Sequence, residues 1–181
     1  MSKLDLIAYT CDKIYLDCDG VIMATNETMC KLLNIMYDKN YNGSEVTTWN
    51  YTNLYPITNN EIESLFNSQY FFDNVKFTKG AKSFLTKYRK KIIIVTKGSP
   101  TNYLRKRWWF NDKGFKDIPI IPIPIELSKN LINMKGGLFI DDCTKNLKES
   151  NASWKAQFVE YNDNKEREWQ VGWKGLKIYG W

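Results

Sequence analysis

The chain of 181 residues contains no histidine, and its four cysteines are never spaced as CxxC. These absences exclude Cys/His zinc sites, Ser-His-Asp triads and Cys-His nucleophiles. No cysteine precedes an arginine by six positions, which excludes the phosphate loop of cysteine-dependent phosphatases, and the loops GxxxxGK and GxGxxG are also missing. Any catalysis must therefore depend on carboxylates, lysines, hydroxyls and a hard metal ion.

Long apolar runs are missing as well, since no stretch approaches the roughly 20 residues that cross a bilayer. The N-terminal segment MSKLDLIAYTCDK carries charges where a signal peptide has its apolar segment. We therefore expect a cytoplasmic protein without a membrane partner. A hydrophobic content of 43% is enough for one well-packed domain with a small insertion.

Acidic residues are scarce in one segment. Residues 79–116 hold twelve Lys and Arg but only Asp112 as an acid, an excess of +11 in a chain whose net charge is +6. Such a block can attract phosphate-bearing partners, or it can form the solvated faces of surface helices.

Apolar runs alternate with helical periodicities along the chain. The predicted strands are KIYLD (13–17), IIIV (92–95), IPIIPIPI (118–125), GGLFI (136–140) and AQFVEY (156–161). The predicted helices are 26–40 with Asn26 as N-cap, 61–67, 79–91, and 99–110, which begins with Ser-Pro. The prolines of 118–125 favour an edge strand. This alternation predicts an α/β fold with an open parallel sheet and right-handed crossovers.

One segment does not fit this alternation. Residues 22–78 are too polar and irregular to be a single crossover between two strands. We interpret them as a small cap domain inserted after the first strand. Residues 1–21 and 79–181 then form the α/β core domain.

Polar groups follow three of the predicted strands. Asp17 and Asp19 come after IYL, Thr96 after IIIV, and Asp141 and Asp142 after LFI. Ligands bind at the carboxyl ends of the strands in open α/β sheets, so these groups should meet there. Asp17, Asp19 and Asp141 would form a hard oxygen site suited to Mg²⁺ and a substrate phosphate. One carboxylate could then attack phosphorus while another protonates the leaving alkoxide.

At these residues the chain resembles the haloacid dehalogenase (HAD) superfamily of phosphatases, which use an aspartate nucleophile. DCDGVI (17–22), VTKGS (95–99), Lys129 and FIDD (139–142) are similar to its four motifs in order. The resemblance implies a HAD-like Rossmannoid core, with a parallel sheet flanked by helices and a small helical cap after the first strand. It also implies Mg²⁺ as cofactor.

The resemblance further implies a role for each motif residue. Asp17 would be the nucleophile that forms an aspartyl-phosphate, and Asp19 the acid/base with its backbone carbonyl on Mg²⁺. Asp141 would bind Mg²⁺ directly, and Asp142 would act through a water or by positioning the lysine. The phosphoryl group would contact Thr96, Lys97, Gly98 and Lys129. We favour Lys129 over Lys135, which lies only six residues before Asp141 and belongs to the turn that enters the strand.

Within that superfamily the chain is similar to the 5′(3′)-deoxyribonucleotidases, in its short cap, in the segment YFFDNVKFTKGAKSFL (70–85) and in its second motif. This resemblance implies a nucleoside monophosphate as substrate, with its base in an aromatic pocket, and members that often form homodimers. The candidate pocket residues are Trp49, Tyr70, Phe71 and Phe72.

Two alternatives stay open. A nucleic-acid 5′- or 3′-end phosphatase would use the basic block at 79–116, in which RKR (105–107) precedes WWF, although the cap favours a closed pocket for a mononucleotide. A non-catalytic nucleotide-binding module is disfavoured, because every expected catalytic position is filled.

Overall fold

The computed structural model describes residues 2–181. Within that range the α-helices are α1 (Lys3–Thr10), α2 (Thr25–Tyr37), α3 (Asn59–Phe66), α4 (Gln69–Asn74), α5 (Ala81–Lys87), α6 (Pro100–Asp112) and α7 (Thr144–Glu149). The strands are β1 (Ile14–Leu16), β2 (Ile92–Lys97), β3 (Ile120–Ile123), β4 (Leu138–Asp141), β5 (Trp154–Phe158) and β6 (Leu176–Ile178). Short 3-10 helices cover Gly43–Glu45 and Lys129–Leu131. No helix in this range is long and apolar enough to cross a membrane.

The strands form one parallel sheet in the order β3-β2-β1-β4-β5-β6. Leu16 at the end of β1 lies beside Ile94 on β2 and Ile140 on β4. The residues that follow these positions therefore meet at the carboxyl edge of the sheet. The predicted α/β fold with a parallel sheet is confirmed, and the proline-containing strand β3 lies at an edge as expected.

The sheet is buried on both faces, as expected when helices cover both sides of a parallel sheet. Successive residues of β4 point to opposite faces, so Ile140 belongs to the larger apolar cluster and Phe139 to a smaller one. The larger cluster continues from the sheet into residues of the cap segment such as Leu33 and Tyr55. Apolar packing thus connects the sheet directly to the segment above its edge.

Residues 22–78 contain α2, α3 and α4 and lie between β1 and α5. The chain leaves and returns side by side, because Met23 bridges Phe77 in antiparallel fashion and the Thr78 N–H donates to the Ile22 carbonyl at 2.9 Å. The division of the chain into a core domain and a cap domain stays a prediction.

Several element boundaries differ from the predicted ones. Asn26 is not the N-cap of α2, which begins at Thr25 after Ala24. The Ala24 N–H donates to the Lys76 carbonyl, so a contact with the returning chain determines this helix start. The last predicted strand is β5 and ends at Phe158, whereas β6 was not predicted, because its three residues carry too short an apolar pattern.

The start of α6 follows the sequence expectation. Pro100 is its first residue, and the Ser99 hydroxyl accepts a hydrogen bond from the Asn102 N–H at 3.2 Å. The helix therefore begins directly after the segment that joins it to β2. That start places α6 beside the carboxyl edge of the sheet, where the polar strand ends meet.

Candidate active site

Three buried carboxylates meet at the carboxyl edge of the sheet. Asp17 follows β1, Asp141 ends β4 and Asp142 comes next, and each is less than a tenth exposed. One oxygen from each lies within 4.8 Å of the others. Three carboxylates this close repel one another unless a cation lies among them.

Lys129 supplies one such cation. Its Nζ lies 2.6 Å from Asp17 Oδ1 and 2.7 Å from Asp141 Oδ2, and the side chain is almost fully buried. Burial lowers the pKa of Lys129, but the carboxylates of Asp141 and Asp17 outweigh this effect and raise it above the ordinary value. The ammonium therefore stays charged. Lys135, the alternative considered from the sequence, is exposed and precedes β4.

The adjacent acids Asp141 and Asp142 differ in their partners. Both oxygens of Asp141 accept hydrogen bonds, Oδ1 from the Cys143 N–H at 2.8 Å and Oδ2 from Lys129. Burial raises the pKa of Asp141 to about 6. By contrast, Oδ1 of Asp142 is buried and finds no hydrogen-bond partner among residues 2–181. Burial raises the pKa of Asp142 well above its ordinary value.

The donor set fits a divalent cation. A buried carboxylate oxygen without a partner is costly, and coordination of a hard ion would satisfy it. Asp17 and Asp142 could supply two carboxylate oxygens, a set typical of Mg²⁺, which keeps several waters. The side chain of Asp19 is not part of this cluster.

Gly20 makes room for the free carboxylate. Its φ is +70°, a left-handed conformation that a side chain disfavours, and a Cβ there would lie 2.8 Å from Asp142 Oδ2. The glycine of the DCDG segment thus serves both the turn after β1 and the space that Asp142 occupies.

Asp19 is held by a buried lysine that the sequence reading missed. Lys106 Nζ lies 2.5 Å from Asp19 Oδ2 and 2.8 Å from the hydroxyl oxygen of Thr96. Burial lowers the pKa of Lys106, but the Asp19 carboxylate more than offsets this, so the pKa is raised. The ammonium thus joins the acid after β1 to the threonine of β2.

A sequence signal for Lys106 was available. The buried residues of α6 are Asn102, Lys106, Trp109 and Phe110, a stripe with helical spacing. Lys106 occupies a position on the inward stripe of the helix, where an unpaired charge would be costly. From the sequence, the run RKR (105–107) belonged to a basic block predicted to attract phosphate-bearing partners or to form solvated helix faces.

Other charges of the basic block also have partners within the molecule. Arg105 donates to Gln69, and Arg107 donates to the carbonyls of Ile118 and Lys116. Further pairs join Lys87 to Asp5 and Arg89 to Asp117. The +11 excess is therefore partly used in tertiary contacts and is not one free cationic surface.

A cavity of about 540 Å³ opens above the acids. The polar part of its lining, which we call the floor, consists of Asp17, Asp19, Lys97, Lys129 and Asp142. The cap segment contributes Met29, Trp49, Tyr51, Ile62 and Phe66 to the lining, and we call this part the wall. A cavity of this size is in the range that encloses a small organic ligand, roughly 300–1,000 Å³.

The predicted aromatic pocket is only partly assembled. Trp49 lines the cavity. Phe71 and Phe72 are buried and pack against each other with ring centroids 5.2 Å apart. Tyr70 is half exposed, and none of the three borders the cavity. The reason is that α4 turns its apolar face into the core. Tyr51 contributes instead, with a positive φ of 53° and its hydroxyl donating to Asn26 at 2.8 Å.

The phosphate contacts expected from β2 are likewise divided. Lys97 lines the cavity, whereas Thr96 lies behind it and accepts from Lys106. The Gly98 N–H donates to the Ile123 carbonyl of β3 at 3.2 Å and is therefore occupied in this structure.

Residues 12–171 match a family model described as 5′ nucleotidase, deoxy (Pyrimidine), cytosolic type C protein. This match spans most of the chain, including every residue of the acid cluster. The chain belongs to this 5′-nucleotidase family. It is accordingly a phosphoric monoester hydrolase of the HAD superfamily. No curated protein sequence matches this 5′-nucleotidase significantly.

Solved structures resemble the 5′-nucleotidase in fold. A haloacid dehalogenase-like hydrolase from Streptococcus pneumoniae has a TM-score of 0.59 at 8% identity, with 94% of each chain covered. A putative haloacid dehalogenase-like hydrolase from Bacteroides fragilis has a TM-score of 0.55 at 12% identity, covering 93% of this chain and 96% of its own. A HAD family hydrolase from Deinococcus radiodurans, solved with bound phosphate and sodium, reaches 0.52 at 10% identity over 82% and 80%.

The site combines four side chains with distinct chemical capacities. Asp17 offers a carboxylate oxygen at the cavity floor, and Lys129 beside it offers positive charge for phosphoryl oxygens. Asp19 lines the same polar part of the cavity and pairs with the Lys106 ammonium. Asp142 retains a free oxygen for a cation. Side chains that can serve as nucleophile, cationic stabiliser, proton donor and metal ligand thus line one cavity.

Proposed function

We propose that this 5′-nucleotidase hydrolyses nucleoside monophosphates to nucleoside and phosphate, in a Mg²⁺-dependent reaction through an aspartyl-phosphate on Asp17. The observation that carries the proposal is the division of one cavity into an acid-and-lysine floor and an aromatic wall. The floor matches a phosphate with its metal, and the wall matches a base.

In the first step, the Asp17 carboxylate attacks phosphorus while Lys129 neutralises charge on Asp17 and on the phosphoryl oxygens. Mg²⁺ held by Asp17, the Asp19 carbonyl and an acid of β4 would reduce the repulsion between the nucleophile and the phosphate dianion. The Asp19 carboxyl group protonates the leaving 5′-oxygen of the nucleoside. Asp19 then takes a proton from the water that hydrolyses the aspartyl-phosphate.

Between Asp141 and Asp142, the geometry supports Asp142 as the direct metal ligand. Asp141 is already engaged by Lys129 and by the Cys143 N–H, whereas Asp142 borders the cavity with a free oxygen. We therefore assign Asp141 to the positioning of Lys129. This exchanges the two roles that the family resemblance implied from the sequence.

The wall of the cavity supports a mononucleotide more than a polymer. Trp49 and Tyr51 line the same cavity as the acids, and several charges of the basic block are paired internally. Aromatic rings can stack on any base. The family description names deoxy and pyrimidine, so the substrates we propose are pyrimidine deoxyribonucleoside monophosphates. The same description says cytosolic, so we propose that the enzyme acts in the cytoplasm. A homodimer stays a prediction.

The proposal is tested by phosphate release from a panel of ribo- and deoxyribonucleoside monophosphates, with Mg²⁺ and with EDTA. A 5′-phosphorylated and a 3′-phosphorylated oligonucleotide are included in the same panel. We expect metal-dependent turnover of the mononucleotides, fastest with the pyrimidine deoxyribonucleotides. Turnover of the oligonucleotides alone would overturn the mononucleotide assignment, and equal rates in EDTA would overturn the role of the metal.

A further inference from the structure

A C-terminal segment connects the core to the cap beside the cavity. We call residues 165–170 the strap. On the core side, the Trp169 carbonyl accepts from the Thr144 N–H at 2.8 Å, and the Gln170 carbonyl accepts from Gln157 Nε2 at 3.1 Å. The first of these bonds lies at the start of α7, two residues after Asp142. The strap is therefore fixed to the same element that follows the acid cluster.

On the cap side the strap holds the loop before Trp49. Arg167 is 2% exposed, and its Nη2 donates to the Ser44 carbonyl at 2.9 Å. The Glu168 N–H donates to the Thr47 carbonyl at 3.1 Å. The Glu168 side chain also accepts a hydrogen bond, because the backbone N–H of Trp49 donates to its Oε1 at 2.5 Å. Residues 44–49 are thus attached to the strap at three successive points.

The ring of Trp49 has one close aromatic neighbour, and it comes from the strap. Its centroid lies 4.5 Å from that of Trp169, with an angle of 35° between the rings. Trp169 is 5% exposed and packs in the larger apolar cluster, whereas Trp49 is 49% exposed and lines the cavity. A buried ring therefore packs against and supports an accessible one.

A second groove lies on the strap side of Trp49, next to the active-site cavity. It has a volume of about 600 Å³ and is lined by Trp49, Trp169, Glu168 and Lys148 among others. Trp49 borders both this groove and the active-site cavity. Without Trp169 and the bond to Glu168, the indole of Trp49 could move toward the groove and widen the cavity.

We propose that Glu168 and Trp169 are positioning residues for substrate affinity: they hold Trp49 as the wall against which the base of the nucleotide packs. They contact neither the phosphate nor the acids of the floor. Their effect is therefore confined to the nucleoside half of the substrate. This inference rests on the proposed function, because it requires a nucleoside monophosphate in the cavity.

The test uses the two reaction products as separate probes of the two ends of the cavity. For each variant, we would measure kcat and KM with a deoxyribonucleoside monophosphate, the inhibition constant of the product nucleoside and that of inorganic phosphate. For Glu168→Ala we expect KM and the nucleoside constant to rise together, by about three- to tenfold. We expect kcat and the phosphate constant to stay within about twofold of the wild type.

Matched variants separate positioning from a general structural role. Glu168→Gln keeps a carbonyl oxygen for the backbone N–H of Trp49 and should leave kcat, KM and both inhibition constants at their wild-type values. Glu166→Ala removes the same charge from an exposed residue of the strap and should change nothing. Trp169→Phe retains a ring beneath Trp49 and should have a smaller effect than Trp169→Leu.

The outcomes decide between the two proposals. A Glu168→Ala enzyme with unchanged constants overturns the positioning role, as does one in which the nucleoside and phosphate constants rise equally. Neither result affects the proposed function, provided that the wild type hydrolyses mononucleotides. A wild type that hydrolyses none of them overturns the proposed function directly and the positioning role with it.

Discussion

The floor and the wall of the cavity are built in different ways. On the floor, Lys129 contacts two carboxylates, and Lys106 contacts a carboxylate and a hydroxyl. These acceptor groups lie at the ends of strands of the sheet or directly after them. On the wall, Trp49 comes from a cap loop and depends on residues about 120 positions away, Glu168 among them. The comparison teaches that ion pairs and burial hold the floor, for which we propose the phosphate, while a few tertiary contacts hold the wall, for which we propose the nucleoside.

The largest effect should come from the nucleophile. Asp17→Asn is nearly isosteric but replaces the attacking carboxylate with an amide, so we expect kcat to fall by about three orders of magnitude or more. Phosphate release under saturating substrate, followed over hours, measures the loss. The melting temperature of the variant serves as the control for folding. Undiminished turnover by Asp17→Asn would contradict the aspartyl-phosphate mechanism.

Next in size is the lysine beneath Asp19. Lys106→Met keeps the length and apolar stem of the side chain but removes the cation from Asp19 and Thr96. We expect kcat to fall about 10- to 100-fold with KM changed little, because the proton donor loses its position. Steady-state kinetics of Lys106→Met beside Lys82→Met, an exposed lysine of α5, provides the comparison. Equal kinetics of the two variants would show that Lys106 has no part in catalysis.

Two aromatic residues of the cap sharpen the contrast between wall and core. Trp49→Ala should raise KM for nucleotides by about tenfold with little change in stability, because the ring is half exposed and lines the cavity. Phe71→Ala should instead lower the free energy of unfolding by about 3–5 kcal/mol at unchanged KM, because Phe71 is fully buried. Denaturant titration and steady-state kinetics on both variants check the pair. A KM increase in Phe71→Ala at intact stability would restore its predicted place in the base pocket.

The smallest expected effect concerns Glu160, between β5 and the strap. Its Oε2 is buried without a partner in the described part of the chain, and burial raises its pKa to about 8, with Glu27 adding to the rise and Arg167 opposing it. The folded state therefore binds the proton more tightly than the unfolded chain. The stability from this group is fully present below pH 4.5, the ordinary value, and is lost as pH rises toward 8.

Glu160→Gln should remove that pH dependence. We expect the variant to be more stable than the wild type by roughly 1–3 kcal/mol at pH 9 and about equally stable at pH 4. Urea titrations at the two pH values measure the difference. An equal difference in the free energy of unfolding between wild type and variant at both pH values would show that the pKa of Glu160 does not change on folding.

Much of the floor was predictable because its signals are local. An apolar run followed by DxDG, a second followed by Thr96 and a third followed by Asp141 and Asp142 indicate strand ends, and parallel strand ends meet at one edge. The parallel α/β fold was predicted correctly for the same reason. Element boundaries were less accurate: Asn26 was wrongly taken as an N-cap because the start of α2 depends on a contact with Lys76, which no local pattern reveals.

The sequence by itself determined which side chains end the central strands, and therefore that carboxylates and a threonine meet in one place. Only the tertiary structure decided that Lys106 from α6 reaches them, whereas Lys129, which lies in a short 3-10 helix, was already indicated by the family resemblance. It also decided that Trp49 and Tyr51, and not Phe71 or Phe72, line the cavity. The physical reason is range. Alternation along a strand is encoded within a few residues, whereas the burial of a lysine or an aromatic ring depends on segments that meet only in the folded chain.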